Sequence, residues 1–143
     1  MEIKVYEHKV QYYETDQMGV VHHSNYIRWF EEARVDFLDK IGLSYEKMEK
    51  LGYISPVIAV SCEYKTMCRF GESVRILLKL KNFSGVRFSF CYEVRDVKTN
   101  ELRVIGESTH CFIDESGKVF SLKKENREYF EIFNSYVGQE TFY

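Results

Sequence analysis

The spacing of apolar and polar positions changes from helical to alternating near residue 53. Before that point, apolar residues recur three and four positions apart, which predicts a helix over residues 24–41. Gly42 follows directly, as is common where a helix ends. At 1.5 Å per residue this helix is about 27 Å long. Its apolar stripe consists of Tyr26, Trp29, Phe30, Ala33, Phe37, Leu38 and Ile41.

Three further elements are predicted outside this helix. Residues 2–11 have the pattern of a first strand. Ser44 is placed as the N-cap of a short helix that ends at Gly52. Residues 123–136 are predicted as a last amphipathic helix.

After the short helix, apolar residues alternate with polar ones, which is typical of strands with one buried face. Turn-forming residues separate the alternating segments and predict antiparallel hairpins. One long helix followed by such hairpins indicates an α+β domain, in which the curved sheet covers the helix stripe. The predicted strands span residues 53–66, 73–82, 86–96 and 102–113.

Length and charge narrow the class of protein. The 143 residues are enough for one domain, which we expect to span residues 1–143. The net charge is −2 and no run of like charge exceeds a few residues, so nothing in the sequence resembles the basic surface of a nucleic-acid-binding protein. The absence of a long apolar run argues against a membrane span, and the N-terminal residues lack the apolar core of a signal peptide. A cytoplasmic protein is therefore expected.

The four cysteines, Cys62, Cys68, Cys91 and Cys111, show no metal-binding spacing. Each lies in a pattern that predicts a strand, so free thiols in a reducing compartment are expected.

The candidate chemistry lies in residues 13–26, just before the long helix. A helix start offers unpaired N–H groups that attract a carbonyl oxygen or an oxyanion. Asp16, a few residues upstream, can lie beside a carbonyl carbon that these groups polarise, which is the minimum equipment for acyl hydrolysis. Gly19 permits close approach of the backbone, and Val20 and Val21 supply an apolar wall. The spacing alone also has a purely structural interpretation, in which Asp16 and Gly19 are turn and cap residues before a helix.

Other residues of this region have two interpretations. His22 and His23 are adjacent, and we expect their side chains to point in different directions, which makes them poor joint metal ligands. No metal site and no cofactor are predicted. Tyr26 either lines a pocket or packs in the core.

Two motifs carry a resemblance to a known family. Asp16, Gly19, Val20, Val21, His23, Asn25 and Tyr26 fall in register on the signature of the hotdog-fold acyl-CoA thioesterases, and residues 28–34 extend it. The sequence most resembles the 4-hydroxybenzoyl-CoA thioesterase-like group, including its Tol–Pal-associated branch. A second, weaker match keeps Tyr64, Arg69, Phe70 and Gly71, but has Met67 and Cys68 where Pro-Ala is usual and Glu72 for the usual aspartate.

The resemblance implies a hotdog fold, a sheet wrapped around one helix, and hydrolysis of an acyl-CoA or an acyl carrier protein thioester. Asp16 would act as nucleophile or general base, and the N–H of His23 would polarise the carbonyl. Hotdog protomers usually pair edge to edge, so a homodimer or homotetramer is expected, with Tyr64–Arg69 of a partner facing Asp16. The candidate cations for the CoA phosphates, each also explicable as a solvated surface charge, are Arg69, Arg87, Lys123 and Lys124.

Two alternatives remain open on the same fold. Hydroxyacyl dehydratases and hydratases combine a histidine with a carboxylate and usually have a proline-rich stretch, but Pro56 is the single proline here. A non-catalytic acyl-binding module is the other alternative, although such a module has no use for Asp16.

Overall fold

The computed structural model describes residues 3–141. A five-stranded, fully antiparallel sheet forms the body of the protein, with the strands in the spatial order β1-β3-β4-β5-β2. The strands are β1 (Tyr6–Lys9), β2 (Val57–Tyr64), β3 (Ser73–Phe83), β4 (Arg87–Asp96) and β5 (Leu102–Cys111).

Along the chain, two helices precede the strands β2 to β5 and two follow them. The helix α1 (Ser24–Lys40) matches the predicted long helix, and α2 (Tyr45–Lys50) begins after Ser44, whose side chain accepts a hydrogen bond from the Lys47 N–H. Both predictions are confirmed. Two short helices, α3 (Leu122–Glu125) and α4 (Arg127–Asn134), follow the last strand.

The apolar stripe of α1 packs on one face of the sheet and forms the core. Trp29 and Phe30 are fully buried, and the ring of Phe30 stacks on Tyr92 of β4 with 4.2 Å between ring centroids. The alternation predicted for β3 and β4 is confirmed, because one side of each strand is buried beneath the helix. Its residues are Val74, Ile76, Leu78, Leu80, Phe88, Phe90, Tyr92 and Val94. The molecule is thus the predicted α+β domain.

The first strand is shorter than predicted. Residue 2 lies outside the described residues, and Gln11 leaves the sheet to start a single 3₁₀ turn, Tyr12–Glu14. The backbone N–H of Gln11 donates to the Glu14 carboxylate, which closes this turn and diverts the chain from the strand. The second strand begins only after Pro56, whose missing N–H cannot join a ladder.

The predicted helix 123–136 is broken at Asn126. This residue has an extended backbone, with φ −150° and ψ 89°, and its side chain accepts a hydrogen bond from the Tyr129 N–H. An asparagine side chain that caps a new helix competes with continuation of the old one.

All four cysteines are free. Cys68 lies in a loop rather than in the predicted strand, because the chain leaves β2 after Tyr64. Between residues 3 and 141, no helix is long and apolar enough to cross a membrane.

Candidate active site

Asp16 lies in a tight turn that returns the chain towards α1. Its N–H donates to the Val20 carbonyl at 2.9 Å, and its own carbonyl accepts from the Gly19 N–H at 3.0 Å. Gly19 has a φ of +75°, a conformation that residues with a Cβ rarely adopt. The turn therefore needs glycine at this position for conformational reasons, beside the close approach that the sequence suggested.

The Asp16 carboxylate is half-buried. Its Oδ1 accepts a hydrogen bond from the Met18 N–H at 2.8 Å, so one oxygen serves the turn as the structural interpretation predicted. Among the described residues, no hydrogen-bond partner of Oδ2 is present. One oxygen thus orients the carboxylate and the other is free to react.

The start of α1 offers a free backbone donor close by. The His22 N–H donates to the Glu14 carbonyl at 2.8 Å, and the Ser24 N–H donates to the His22 ring at 3.2 Å. Within residues 3–141 the N–H of His23, the N-cap, has no such partner. This is the donor that the family resemblance implied.

The two histidine rings do not point in different directions, so that expectation was wrong. They stack with 4.2 Å between centroids and 29° between planes. His23 has helical backbone angles, φ −56° and ψ −26°, so neighbouring side chains diverge by roughly 100° instead of alternating as in a strand. His22 is exposed and its Nδ1 lies 2.8 Å from the Ser24 hydroxyl.

The segment after β2 packs against this turn within the same chain. The Val21 N–H donates to the Cys68 carbonyl at 2.9 Å, and the Tyr64 hydroxyl donates to the His23 carbonyl at 3.3 Å. The sequence led us to expect Tyr64–Arg69 to reach the site from a partner. The end of β2 lies beside the start of α1 of its own protomer, so Tyr64 reaches the site within one chain, and a contribution from a partner stays a prediction.

Two clefts meet at Asp16. The smaller, of about 360 Å³, has mainly apolar walls formed by Asp16, Met18, Val20, Val21, His23, Tyr26, Tyr64, Lys65, Thr66 and Met67. The larger, an open groove of about 1110 Å³, has mixed polar and apolar walls and is lined by Tyr12, Tyr13, Thr15, Asp16, Gln17, Gly19, His22, Ser24, Asn25 and Arg28.

Tyr26 combines both of its predicted roles. It is 3% exposed and packs edge-on against Trp29, yet it also borders the smaller cleft. Burial raises its pKa far above the usual value, and burial likewise raises the pKa of the neighbouring Cys68 thiol to about 11. Both groups are therefore neutral near pH 7.

The predicted cations are divided between distant places. Arg69 is exposed and its backbone bridges to Val20, so it lies beside the site. Arg87 begins β4 opposite Cys111, whereas Tyr64 pairs with Val104 at the other end of β5. Within one chain Arg87 is thus not brought to the clefts. Lys123 lies near the Arg87 end, beside Gly85.

Sequence reasoning missed two cations that do line the clefts, Arg28 and Lys65. Arg28 lies on the polar side of α1 just after the motif, which was an available signal. Lys65 is separated from the motif by α1, α2 and β2 along the chain, so only the fold reveals that it lies beside Asp16.

Comparison with known proteins identifies the family. Residues 10–130 match the thioesterase-like superfamily. The chain belongs to this superfamily. A solved structure of DHNA-CoA thioesterase from Staphylococcus aureus is similar, with a TM-score of 0.88, 33% identity, and coverage of 94% of this chain and 91% of that one. The fold is therefore the predicted hotdog.

Two curated relatives carry provisional names of the same kind. An Aquifex aeolicus (strain VF5) protein provisionally named an esterase is 38% identical over 121 residues, which are 85% of this chain and 92% of the relative. YneP of Bacillus subtilis (strain 168), provisionally named an acyl-CoA thioesterase, is 33% identical over 125 residues, or 87% and 90% of the two chains. Thioester hydrolysis is the activity that these similarities support.

Proposed function

We propose that the protein hydrolyses the thioester of an acyl-CoA to a free acid and CoA, with Asp16 and the His23 N–H as the reacting groups. The observation that supports this most directly is that Asp16 and His23 line the same apolar cleft. One carboxylate oxygen of Asp16 and the backbone N–H of His23 have no hydrogen-bond partner among the described residues. A carboxylate is a suitable nucleophile or base, and a preorganised N–H stabilises the oxyanion.

The chemistry has two possible courses. In one, Asp16 takes a proton from water while the resulting hydroxide attacks the carbonyl carbon. In the other, Asp16 attacks that carbon itself and forms an anhydride, which water then opens. Either way the carbon–sulfur bond breaks and CoA leaves as a thiolate, which needs no strong acid. The His23 N–H would stabilise the oxyanion in both courses.

The larger groove would hold the CoA portion and the smaller cleft the acyl group. Arg28, Lys65 and Arg69 are the cations near these clefts that can meet CoA phosphates. Because the Staphylococcus aureus relative is named a DHNA-CoA thioesterase, DHNA-CoA comes first among the substrates to test. Acyl carrier protein thioesters are the alternative donors.

The decisive measurement is thiol release from short, long and aromatic acyl-CoAs. We expect Asp16→Asn to lower turnover at least ~100-fold, because it removes the proton acceptor or nucleophile and keeps the side-chain shape. His23→Ala should cost much less, since the backbone donor remains. Asp39→Asn, an equal change of charge away from the clefts, serves as the matched control. Turnover of Asp16→Asn within a few-fold of wild type would refute the role of Asp16.

The same assay separates the alternatives. Formation or hydration of an enoyl thioester without thiol release would indicate a dehydratase or hydratase. Binding of acyl-CoA without turnover would indicate a binding module.

We also propose that two copies pair through β2 into one continuous sheet. This strand forms a sheet edge and exposes Val57, Ile58 and Val60 by 49%, 44% and 40%. An apolar strand with unpaired N–H and C=O groups is a template for pairing with another chain.

A cytoplasmic location agrees with the four free cysteines. Membership of the Tol–Pal-associated branch stays a prediction.

A further inference from the structure

Glu14 is a buried carboxylate in the turn that precedes Asp16. Only 4% of the residue is exposed. A carboxylate loses its hydration at such a site, and this costs several kcal/mol unless hydrogen bonds replace the water. The interior position therefore requires specific partners, and Glu14 is not part of the reacting pair proposed above.

Three donors from separate parts of the chain meet this carboxylate. Oε1 accepts from the Gln11 N–H at 2.8 Å and lies 2.8 Å from Nε2 of His8 on β1. Oε2 accepts from the indole N–H of Trp29 on α1 at 2.7 Å. Burial by itself raises the pKa of Glu14, but these hydrogen bonds outweigh it and hold the pKa below 4.5. The side chain is thus ionised near pH 7.

The backbone carbonyl of Glu14 holds the start of α1. It accepts from the Asn25 side-chain amide and from the His22 N–H, each at 2.8 Å. Asn25 is itself buried, at 7% exposure. One residue therefore ties β1, the 3₁₀ turn and the helix start together.

These ties fix both reacting groups. Asp16 follows Glu14 by two positions, and His23 directly follows His22, whose N–H is bound to the Glu14 carbonyl. We infer that Glu14 is a positioning residue that sets the distance between the Asp16 carboxylate and the His23 N–H. The inference rests on the proposed thioesterase function. It adds a role for a buried acid that lines neither of the two clefts described above.

The conservative variant Glu14→Gln tests this role. An amide has one accepting oxygen, so its NH₂ group must face a donor, either the Trp29 indole or the Gln11 N–H. A shift of about 1 Å in a reacting group can cost on the order of 100-fold in rate. We expect kcat for acyl-CoA hydrolysis to fall 10- to 100-fold, with KM within about threefold of wild type, because the cleft walls are unchanged.

Glu32→Gln is the matched control. The Glu32 carboxylate lies 3.5 Å from Nδ1 of the same His8 but is half-exposed, and within residues 3–141 it forms no ion pair or hydrogen bond with the turn. Its kcat should stay at the wild-type value. Asn25→Ala deletes the side-chain hydrogen bond to the Glu14 carbonyl and should reproduce the loss of kcat. This variant replaces Glu14→Gln in the test if Glu14→Gln does not fold.

A double-mutant cycle distinguishes positioning from general damage. If Glu14 acts through Asp16, Glu14→Gln adds no further loss in an Asp16→Asn background, whereas unrelated effects multiply. A full multiplicative loss, or a wild-type kcat in both Glu14→Gln and Asn25→Ala, would overturn the inference while leaving the proposed function intact. Wild-type turnover in Asp16→Asn would overturn both.

Discussion

Among single residues, His110 shows how burial in the core changes the pKa of a group that can ionise. The Tyr92 hydroxyl accepts from Arg34 at 3.1 Å and lies 2.6 Å from the Ser108 hydroxyl, which in turn lies 2.8 Å from Nε2 of His110. All four residues are buried. Burial, and then the charge of Arg34, lower the pKa of His110 from 6.5 to about 4. His110 is therefore neutral at pH 7.

This low pKa makes stability depend on pH. As pH falls below 6.5, the unfolded chain takes up a proton at His110, but the folded chain does so only near pH 4, so stability is lost across that window. Between pH 7 and pH 5 we expect His110 to remove about 2 kcal/mol from the free energy of unfolding.

Urea denaturation at several pH values measures this loss. In His110→Gln the curve of stability against pH should be flatter than in wild type, whereas His22→Gln, a change at an exposed histidine, should leave the wild-type slope. Parallel curves for His110→Gln and wild type would rule out a contribution from His110.

Among the elements, α1 packs tightly on the sheet at Gly106 of β5, where the Phe30 ring leaves no room for a side chain. A Cβ added there would overlap the ring of Phe30 and lie 2.8 Å from the Ser61 carbonyl. The absence of a side chain lets the Phe30 ring lie flat between the helix and the sheet, where it stacks on Tyr92. This glycine is required for packing, since its backbone is ordinary extended strand.

We therefore expect Gly106→Ala to destabilise the fold by about 1–3 kcal/mol, the usual cost of overpacking a core. Urea denaturation gives the value. Phe30→Leu should recover part of the loss in the double variant, because the smaller side chain makes room for the methyl group. An unchanged urea midpoint for Gly106→Ala would contradict this account of the contact.

Local patterns were sufficient to predict most elements. The stripe of α1 and the alternation in β3 and β4 appear in consecutive residues, and so does the motif from Asp16 to Tyr26. Contacts between distant segments were not predictable in this way. Lys65 and Thr66 reach the cleft because β2 ends beside α1, and Arg34 of α1 meets the Tyr92 hydroxyl of β4 inside the core.

Some errors were local and had a chemical cause. Asn126 ended a helix because its side chain capped the next one. Glu14 was passed over, although Gln11 and Glu14 have the three-residue spacing of a capping box. Arg87 was chosen for its charge alone, and charge does not specify which end of a strand a residue occupies.

In the whole molecule, the two edges of the sheet differ. β1 has only four residues, Tyr6–Lys9, and includes Glu7 and Lys9, which disfavour pairing. β2 is eight residues long and mostly apolar at its start. Antiparallel pairing of two β2 strands about a twofold axis would bring the Val57 end of one copy beside the Tyr64 end, and therefore the clefts, of the other.

Light scattering tests this assembly. We expect a mass of at least twice 17.1 kDa for the wild type. Ile58→Lys should lower the mass towards one chain and reduce turnover with it, because a charged edge strand resists pairing. Val35→Lys is the control, because it makes the same kind of change at an exposed position of α1, away from β2. A fully active wild-type protein with the mass of a single chain at the assay concentration would exclude a shared site.

The position of Asp16 between two clefts bears on how such an enzyme acquires new substrates. In the proposed reaction, the walls that meet the acid differ from those that meet the carrier, apart from Asp16 itself. Replacements at Met18 or Met67 can therefore change which acid is released without altering recognition of the carrier. Selection can act on the two halves of the substrate separately, while the turn that carries the reacting carboxylate stays constant.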